Sequence, residues 1–157
     1  MKPIENSVME LLQEKGLTIA TAESCTGGMV SARLINYSGA SASFINGMTT
    51  YTNESKSRLL DINPDIINTY GAVSPETAEA MCLGVAKVSG TDIGLSTTGI
   101  AGPNGGTPEK PVGLVYIGVS IKGKAYVRKL MLKGNRNDIR SNATYEVINY
   151  LYELLRE

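Results

Sequence analysis

One segment near the beginning of the chain predicts a strand that turns directly into a helix. Residues 17–22 are small and apolar, as in a short buried strand, and they run into Ser24 and Cys25. Gly27 and Gly28 follow, although two glycines in the first turn of a helix cost about 1 kcal/mol each relative to alanine. This cost favours a use for them, such as the close approach of a ligand. The segment therefore predicts a nucleophile beside backbone N–H groups that can hold a phosphate or an oxyanion.

The other segments alternate between helical and strand patterns along the whole chain. Strands are predicted over 17–22, 44–52, 93–98, 112–121 and 125–132. Helices are predicted over 6–15, 26–36, 54–60, 63–70, 74–90 and 137–155, with Thr26 as the N-cap of the second. A hairpin turn at 122–124 makes the last two strands antiparallel. This order predicts an α/β fold, a three-layer α/β/α arrangement with a mixed β-sheet, in a single domain that comprises residues 1–157.

Composition argues against several classes of function. Fifteen lysines and arginines balance fifteen aspartates and glutamates, so no nucleic-acid partner is expected. No apolar run reaches the roughly 20 residues of a membrane span, and the charged N-terminal segment is unlike a signal peptide. With two cysteines and no histidine, the chain cannot build a usual zinc site. We therefore expect a cytoplasmic protein that needs no metal and no cofactor.

The absence of histidine also decides which base could activate a nucleophile. Neither a Ser-His-Asp nor a Cys-His arrangement can exist, and Lys56 is the leading candidate as the base for Ser24. Lys56 lies about one helical turn beyond Tyr51, so both are predicted to face one cleft. Taken alone, Lys56 fits an exposed surface lysine, Ser24 a helix cap, and Cys25 a small buried side chain. Glu23 could pair with Lys56 or support the turn.

Two further regions are candidates for holding an anionic substrate. The glycine-rich segment 97–106 follows the third strand, and ligands of open α/β sheets bind at the carboxyl ends of strands. It lacks the lysine of a P-loop, so it is either an anion-binding nest of backbone N–H groups or an ordinary long hairpin loop. Arg136 and Arg140 lie four residues apart at the start of the last helix. Either could clamp a phosphate, or Asp138 and Glu146 could neutralise them at the surface.

Five motifs occur together, in chain order, in one known family. They are Ala22–Gly28 (AESCTGG), Thr50–Lys56 (TYTNESK), Gly71–Ser74 (GAVS), Thr98–Gly106 (TGIAGPNGG) and Lys110–Gly113 (KPVG). Through them the chain resembles the C-terminal domain of the competence/damage-inducible protein CinA, from about residue 16 to residue 155. It departs from that family at Asn135, where the family commonly shows the aspartate of a Gly-Asp-Arg motif.

The resemblance implies an amidohydrolase and assigns roles to particular residues. Stand-alone members deamidate nicotinamide mononucleotide to nicotinate mononucleotide and ammonia, a step of pyridine nucleotide (NAD) salvage, and this chain is similar to the stand-alone form. By motif, Ser24 corresponds to the nucleophile, Lys56 to the catalytic lysine and Tyr51 to the tyrosine near this dyad. The residues expected to bind the substrate are Cys25, Thr26, Gly27, Gly28, Thr98, Gly99, Gly102, Arg136 and Arg140.

The predicted reaction is amide hydrolysis without a metal. Neutral Lys56 takes the hydroxyl proton as Ser24 attacks the carboxamide carbon, and water then releases the acid from an acyl-enzyme. Backbone N–H groups of residues 25–27 stabilise the oxyanion, while Arg140 and residues 99–106 hold the 5′-phosphate.

Two alternatives to this mechanism stay open at the level of sequence. Cys25 is intrinsically more reactive than its neighbour and is a rival nucleophile. The domain could also be a non-catalytic nucleotide-binding or protein-interaction module linked to competence or the DNA damage response.

The predicted sheet also bears on the oligomeric state. An exposed edge of a mixed sheet favours a homo-oligomer, a dimer or higher.

Overall fold

The computed structural model describes every residue from 1 to 157 and contains five strands, six α-helices and one turn of 3-10 helix at Ala40–Ala42. The strands are β1 (Ile19–Glu23), β2 (Phe44–Thr49), β3 (Ile93–Gly99), β4 (Leu114–Ile121) and β5 (Lys124–Met131). The helices are α1 (Ile4–Lys15), α2 (Met29–Leu34), α3 (Asn53–Leu60), α4 (Pro64–Tyr70), α5 (Pro75–Ser89) and α6 (Arg136–Leu155). Every predicted helix and strand is present, with shifted boundaries.

All five strands belong to one mixed sheet in the order β2-β1-β3-β4-β5. β1 pairs in parallel with β2 and β3, whereas the β3–β4 and β4–β5 pairs are antiparallel. Parallel pairing aligns the carboxyl ends of β1, β2 and β3, and Glu23 lies opposite both Thr49 and Thr97. The predicted mixed sheet is therefore confirmed. Ligands of open α/β sheets bind at the carboxyl ends of the strands, so a functional site is expected where β1, β2 and β3 end.

Helices cover both faces of this sheet, which confirms the three-layer arrangement. α1, α2 and α6 enclose the larger apolar core, to which they contribute Leu12, Leu34 and Val147. α3, α4 and α5 enclose a smaller apolar cluster around Leu60 and Met81 on the opposite face. No helix combines the length and the apolar character that crossing a membrane requires.

Helix α5 has the boundaries that its local signals predict, and it packs tightly on the sheet. The Ser74 hydroxyl caps its N-terminus, Pro75 is its first residue, and Gly90 ends it in a left-handed conformation. At Gly94 of β3, a Cβ atom would overlap the carbonyl oxygen of Cys82 in this helix. Glycine at this position therefore permits the close approach of α5 to the middle of the sheet.

Helix α2 begins at Met29, three residues after the predicted N-cap. Gly28 occupies the N-cap position with a φ of 101°, a conformation that glycine adopts without strain. The hydroxyl of Thr26 is bonded instead to the Glu23 carboxylate at 2.6 Å and to the Thr97 hydroxyl at 2.7 Å. The prediction of Thr26 as an N-cap is therefore wrong, because tertiary contacts with β1 and β3 take its hydroxyl away from the helix.

Candidate active site

Polar residues that the sequence separates meet where the parallel strands end. Ser24 directly follows β1, and Lys56 lies in α3, the helix that follows β2. The Lys56 Nζ atom is 3.2 Å from the Ser24 Oγ atom, although the two residues are 32 positions apart along the chain. The structure thus brings the predicted nucleophile and the predicted base into direct contact.

The Lys56 side chain is buried, unlike an ordinary surface lysine. Only 1% of its surface is exposed. Its amine donates to the carbonyl oxygens of Thr50 at 2.8 Å and Tyr51 at 3.3 Å, and it forms no ion pair. A reciprocal capping box between Thr52 and Ser55 fixes the start of α3, so that Lys56 lies within reach of the carbonyl groups that precede the helix.

Burial and hydrogen bonding together suit the Lys56 amine to act as a base. Burial lowers the pKa of Lys56 from its usual value of 10.5 to about 8. A neutral amine has two N–H groups and one lone pair. When the N–H groups are donated to the carbonyl oxygens of Thr50 and Tyr51, the lone pair is left for the hydroxyl proton of Ser24.

The turn between β1 and α2 holds Ser24 beside three unpaired backbone donors. The N–H group of Gly27 is used within the turn, since it donates to the Ser24 carbonyl oxygen at 3.1 Å. The N–H groups of Cys25, Thr26 and Gly28 donate to no other residue of the chain. These three groups, which precede the helix, are the available donors for an oxyanion next to Ser24.

The carboxylate of Glu23 supports this turn and does not pair with Lys56. One of its oxygens accepts from the Thr26 hydroxyl at 2.6 Å and from the Val30 N–H group at 2.8 Å. The other accepts from the N–H group and the hydroxyl of Ser31 at 3.1 and 3.0 Å. The first-turn donors of α2 are therefore occupied by a side chain of the protein itself.

The guanidinium group of Arg140 binds the same turn from α6. Its Nε atom is 2.9 Å from the carbonyl oxygen of Cys25, and its Nη2 atom is 3.3 Å from that of Thr26. Because the N–H and C=O groups of a trans peptide point in opposite directions, this contact turns the Thr26 N–H group away from Arg140. Neither Asp138 nor Glu146 neutralises Arg140 by an ion pair.

Arg136 connects the loop after β3 to the tyrosine after β2. It donates to the carbonyl oxygen of Gly102 at 2.7 Å and to the hydroxyl of Tyr51 at 3.3 Å. The Tyr51 hydroxyl is therefore bonded to Arg136, and only the backbone carbonyl of Tyr51 contacts the dyad. Asn135, the departure from the family motif, still caps α6 by accepting from the Asp138 N–H group at 2.9 Å.

Contacts with the rest of the chain hold the segment that includes the end of β3, where Thr98 and Gly99 were expected to bind the substrate, and the loop that follows. Thr98 is buried, and its hydroxyl donates to the carbonyl oxygen of Ala72 at 2.7 Å, which holds the 71–74 segment. A Cβ atom at Gly99 would crowd β4, so glycine is required where β3 ends. Lys110 donates to the carbonyl oxygen that ends α4 at 2.8 Å. These contacts connect the glycine-rich loop to the helices on one face of the sheet.

Cys25 is next to the nucleophile position but has the chemistry of a core residue. It is buried, and burial raises the pKa of its thiol to about 11. At neutral pH this side chain is a thiol and not the thiolate that a cysteine nucleophile requires. The Lys56 amine contacts the Ser24 hydroxyl at 3.2 Å and forms no hydrogen bond with Cys25, so the geometry favours Ser24 as the partner of Lys56.

Sequence reasoning missed the two backbone carbonyl groups that hold the lysine. Thr50 and Tyr51 supply them, and every residue type carries a carbonyl group, so composition and motif give no direct sign of this role. The available signal is the spacing between the end of β2 and the cap at Thr52, which places Lys56 one turn into the next helix.

The fold is an open α/β sheet with a serine and a buried lysine at the carboxyl ends of its parallel strands, which is where proteins of this class commonly bind ligands. A family model described as the CinA C-terminal domain matches residues 1–155, and the chain belongs to this family.

Individual relatives and solved structures agree with this family. A protein of Clostridium beijerinckii, provisionally named as competence-damage inducible, is 55% identical over 152 residues, which are 97% of this chain and 37% of that protein. A crystal structure of a competence damage-inducible protein A from Klebsiella pneumoniae has a TM-score of 0.95 at 27% identity and covers 98% of this chain and 96% of its own. The competence/damage inducible protein CihA from Agrobacterium tumefaciens has a TM-score of 0.89 at 33% identity, with 100% of both chains covered. The chain thus spans just over a third of the length of the curated relatives and nearly all of these solved structures.

Proposed function

We propose that this domain hydrolyses the carboxamide of nicotinamide mononucleotide to nicotinate mononucleotide and ammonia by means of a Ser24–Lys56 dyad. The observation that carries the proposal is the 3.2 Å contact between the Lys56 amine and the Ser24 hydroxyl. The amine is buried, has a lowered pKa and has no carboxylate partner. A purely binding domain has no need of a lysine held in this way. The pyridine nucleotide is the substrate that the family resemblance implies.

The proposed reaction has two steps that use the same base. In the first, the Ser24 oxygen forms a bond to the carboxamide carbon while its proton moves to neutral Lys56. The C–N bond then breaks, and ammonia leaves with the proton that Lys56 returns. In the second step water attacks the acyl-enzyme, Lys56 takes a proton from the water, and Ser24 regains its own as nicotinate mononucleotide leaves.

The tetrahedral intermediate of both steps carries a negative oxygen that needs donors. The unpaired N–H groups of Cys25, Thr26 and Gly28 lie in the turn that begins at Ser24. Such preorganised donors are worth roughly 3 to 4 kcal/mol each in a transition state. We assign them to the oxyanion, and we assign the 5′-phosphate to the neighbourhood of Arg136 and the loop after β3.

Ammonia release from nicotinamide mononucleotide tests this proposal directly. We expect Ser24→Ala and Lys56→Ala each to lower kcat by about 10³-fold or more, because each removes a group that the chemical step requires. Ser41→Ala and Lys87→Met are matched controls, since both residues are exposed and lie outside the site. Circular dichroism and melting temperature establish that each variant is folded. Full activity in either dyad variant would contradict the mechanism.

Two further arms of the same assay define the substrate and the role of metal. Nicotinamide riboside and nicotinamide lack the phosphate, and we expect both to be hydrolysed more slowly than the nucleotide. Chelation with EDTA should leave the rate unchanged, because the proposed base and donors all belong to the protein. If the folded chain released no ammonia from any of these amides, the remaining candidate would be the non-catalytic nucleotide-binding or interaction module.

A further inference from the structure

We propose that Glu23 is a positioning residue for the reaction of Ser24, because its carboxylate holds the turn of residues 24–28 in the shape that leaves three N–H groups free for the oxyanion. The carboxylate forms no hydrogen bond with Ser24 or Lys56, so it acts only through the turn. This inference rests on the proposed function, since it requires Ser24 to be the nucleophile.

The contacts of Glu23 close the turn into a small ring. The residue is 1% exposed, and its two oxygens accept four hydrogen bonds between 2.6 and 3.1 Å long. The donors lie three, seven and eight residues further along the chain, in Thr26, Val30 and Ser31. A single carboxylate therefore connects the end of β1, the middle of the turn and the first turn of α2. A buried carboxylate needs such donors to be stable.

This arrangement decides which donors remain for a substrate. Glu23 satisfies the N–H groups of Val30 and Ser31, which in an open helix N-terminus would attract an external anion. The unpaired N–H groups lie before the helix, at Cys25, Thr26 and Gly28. The carboxylate thus occupies the N–H groups in the first turn of α2, which cannot then bind the oxyanion. The N–H groups that remain available to the oxyanion are those of the turn next to Ser24.

Thr26 transmits the position of the carboxylate to the backbone of the turn. Its hydroxyl is bonded to Glu23 on one side and to Thr97 of β3 on the other, at 2.6 and 2.7 Å. Arg140 holds the carbonyl oxygens of Cys25 and Thr26. The side chain and the backbone of Thr26 are thus fixed by separate partners, and the peptide plane that carries its N–H group has one orientation.

The charge of Glu23 also affects the thiol of Cys25. Burial is the main reason that the pKa of Cys25 is raised to about 11, and the nearby Glu23 carboxylate raises it further. Replacing the carboxylate removes this contribution to the pKa of Cys25.

Glu23→Gln tests the inference with little change of shape. In this variant an N–H₂ group replaces one of the two carboxylate oxygens. An N–H₂ group cannot accept a hydrogen bond from the donors that faced this oxygen, so part of the ring is broken. We expect kcat for nicotinamide mononucleotide to fall by roughly a hundredfold while KM changes by less than about threefold, because the oxyanion exists only after substrate binding. Labelling of Ser24 by a fluorophosphonate, which forms an O–P bond and releases fluoride, should slow in parallel.

Asp92→Asn is the matched control, because it also exchanges a carboxylate for an amide beside a threonine. Asp92 accepts from the backbone and hydroxyl of Thr18 at the opposite end of the strands. We expect it to lower the melting temperature and leave kcat and labelling unchanged. Thr26→Val should reproduce the loss seen for Glu23→Gln, and Thr26→Ser, which keeps the hydroxyl, should restore most of the rate. If Glu23→Gln does not fold, the comparison of Thr26→Val with Thr26→Ser still tests whether the turn must be held for the reaction.

The outcomes separate this inference from the proposed function. If the parent chain is labelled at Ser24 but releases no ammonia, the substrate is wrong and the labelling rates alone decide the role of Glu23. Unchanged labelling in both Glu23→Gln and Thr26→Val, or losses no larger than those of Asp92→Asn, would overturn the role of Glu23. If the parent chain is not labelled at Ser24, the nucleophile and the role of Glu23 are both wrong.

Discussion

A buried or half-buried carboxylate accepts hydrogen bonds at each end of the parallel strands, but the two ends differ in whether all of their polar groups are paired. At the amino end, Asp92 accepts from the backbone and hydroxyl of Thr18 at 2.9 and 3.1 Å, and the Thr18 hydroxyl accepts from the Asp92 N–H group at 3.1 Å. At the carboxyl end, Glu23 satisfies comparable donors, but Lys56 has no carboxylate partner. The hydroxyl of Thr50 is also buried there without any hydrogen-bond partner.

The difference indicates what the candidate active site costs in stability. Complete pairing at the amino end stabilises the chain, whereas a buried amine and free N–H groups at the carboxyl end lower its stability. Proteins keep such groups where a ligand or a transition state uses them. The contrast between the two ends therefore supports the function proposed from the contact between Lys56 and Ser24.

Among the tests of this contrast between the two ends, the pH dependence of the rate should give the largest effect. Because the base is neutral Lys56, whose pKa is about 8, kcat/KM should rise about tenfold per pH unit below pH 8 and level off above it. The rate should therefore rise by roughly fiftyfold between pH 6 and pH 8. Initial rates at constant ionic strength measure it. A flat profile over this range would mean that the amine is not the titrating base, and the contrast between the two ends would lose its functional meaning.

The two arginines of α6 should separate turn geometry from substrate affinity. Arg140→Lys keeps the charge but cannot hold both carbonyl oxygens of the turn, so we expect kcat to fall by about tenfold or more with little change in KM. Arg136→Lys, the matched change one turn earlier, should raise KM and leave kcat nearly constant. Steady-state kinetics of both variants decide the matter. The opposite pattern would show that Arg140 contacts the phosphate and Arg136 orders the site.

Between pH 8 and 10.5 the carboxyl end, and not the amino end, should make the stability of the chain depend on pH. Between pH 8 and 10.5 the unfolded chain keeps the Lys56 proton that the folded chain has lost, so the stability of the parent rises with pH through this residue. The free energy of unfolding of the parent relative to Lys56→Met should therefore increase by up to about 1.4 kcal/mol per pH unit. Denaturant titrations measure this difference. For Asp92→Asn we expect a constant difference in the same window, and a constant difference for Lys56→Met would contradict the lowered pKa.

Replacing Cys25 should produce the smallest change. Cys25→Ala removes a buried thiol that takes no part in the proposed chemistry, so kcat should stay within about threefold of the parent while stability falls by about 1 kcal/mol. Ammonia release and thermal melting provide both values. A loss as large as that of Ser24→Ala would make Cys25 the nucleophile.

Local signals predict the parts of the fold that depend on neighbouring residues. Ser74, Pro75 and Gly90 bound α5 because a hydroxyl cap, a fixed φ and a left-handed C-cap act within one turn of the backbone. The start of α2 is different. Threonine is a common N-cap residue, but the Thr26 hydroxyl is hydrogen-bonded to that of Thr97, a residue 71 positions away. A contact over that distance leaves no trace in the local pattern.

The candidate site also has parts that the sequence predicts and parts that it does not. The motifs and the absence of histidine point to Ser24 and Lys56, and the structure places these two side chains in contact. The burial of Lys56 could not be read from the sequence, because lysine in a short polar helix is usually exposed. Arg140 was expected at a phosphate, yet its observed contacts are with backbone carbonyl groups, which have no signature in the sequence.

The position of β1 between β2 and β3 has a consequence for synthesis of the chain. β1 finds one partner as soon as residues 44–49 have left the ribosome, but its other side stays open until residues 93–99 follow. The Thr18–Asp92 contact joins residues 74 positions apart, and the Ser24 N–H group reaches the Thr97 carbonyl over a similar span. A nascent or truncated product that ends before β3 would contain Ser24 and Lys56 but lack the strand that orders the turn between them. Incomplete translation would then yield a fragment in which this turn is not ordered.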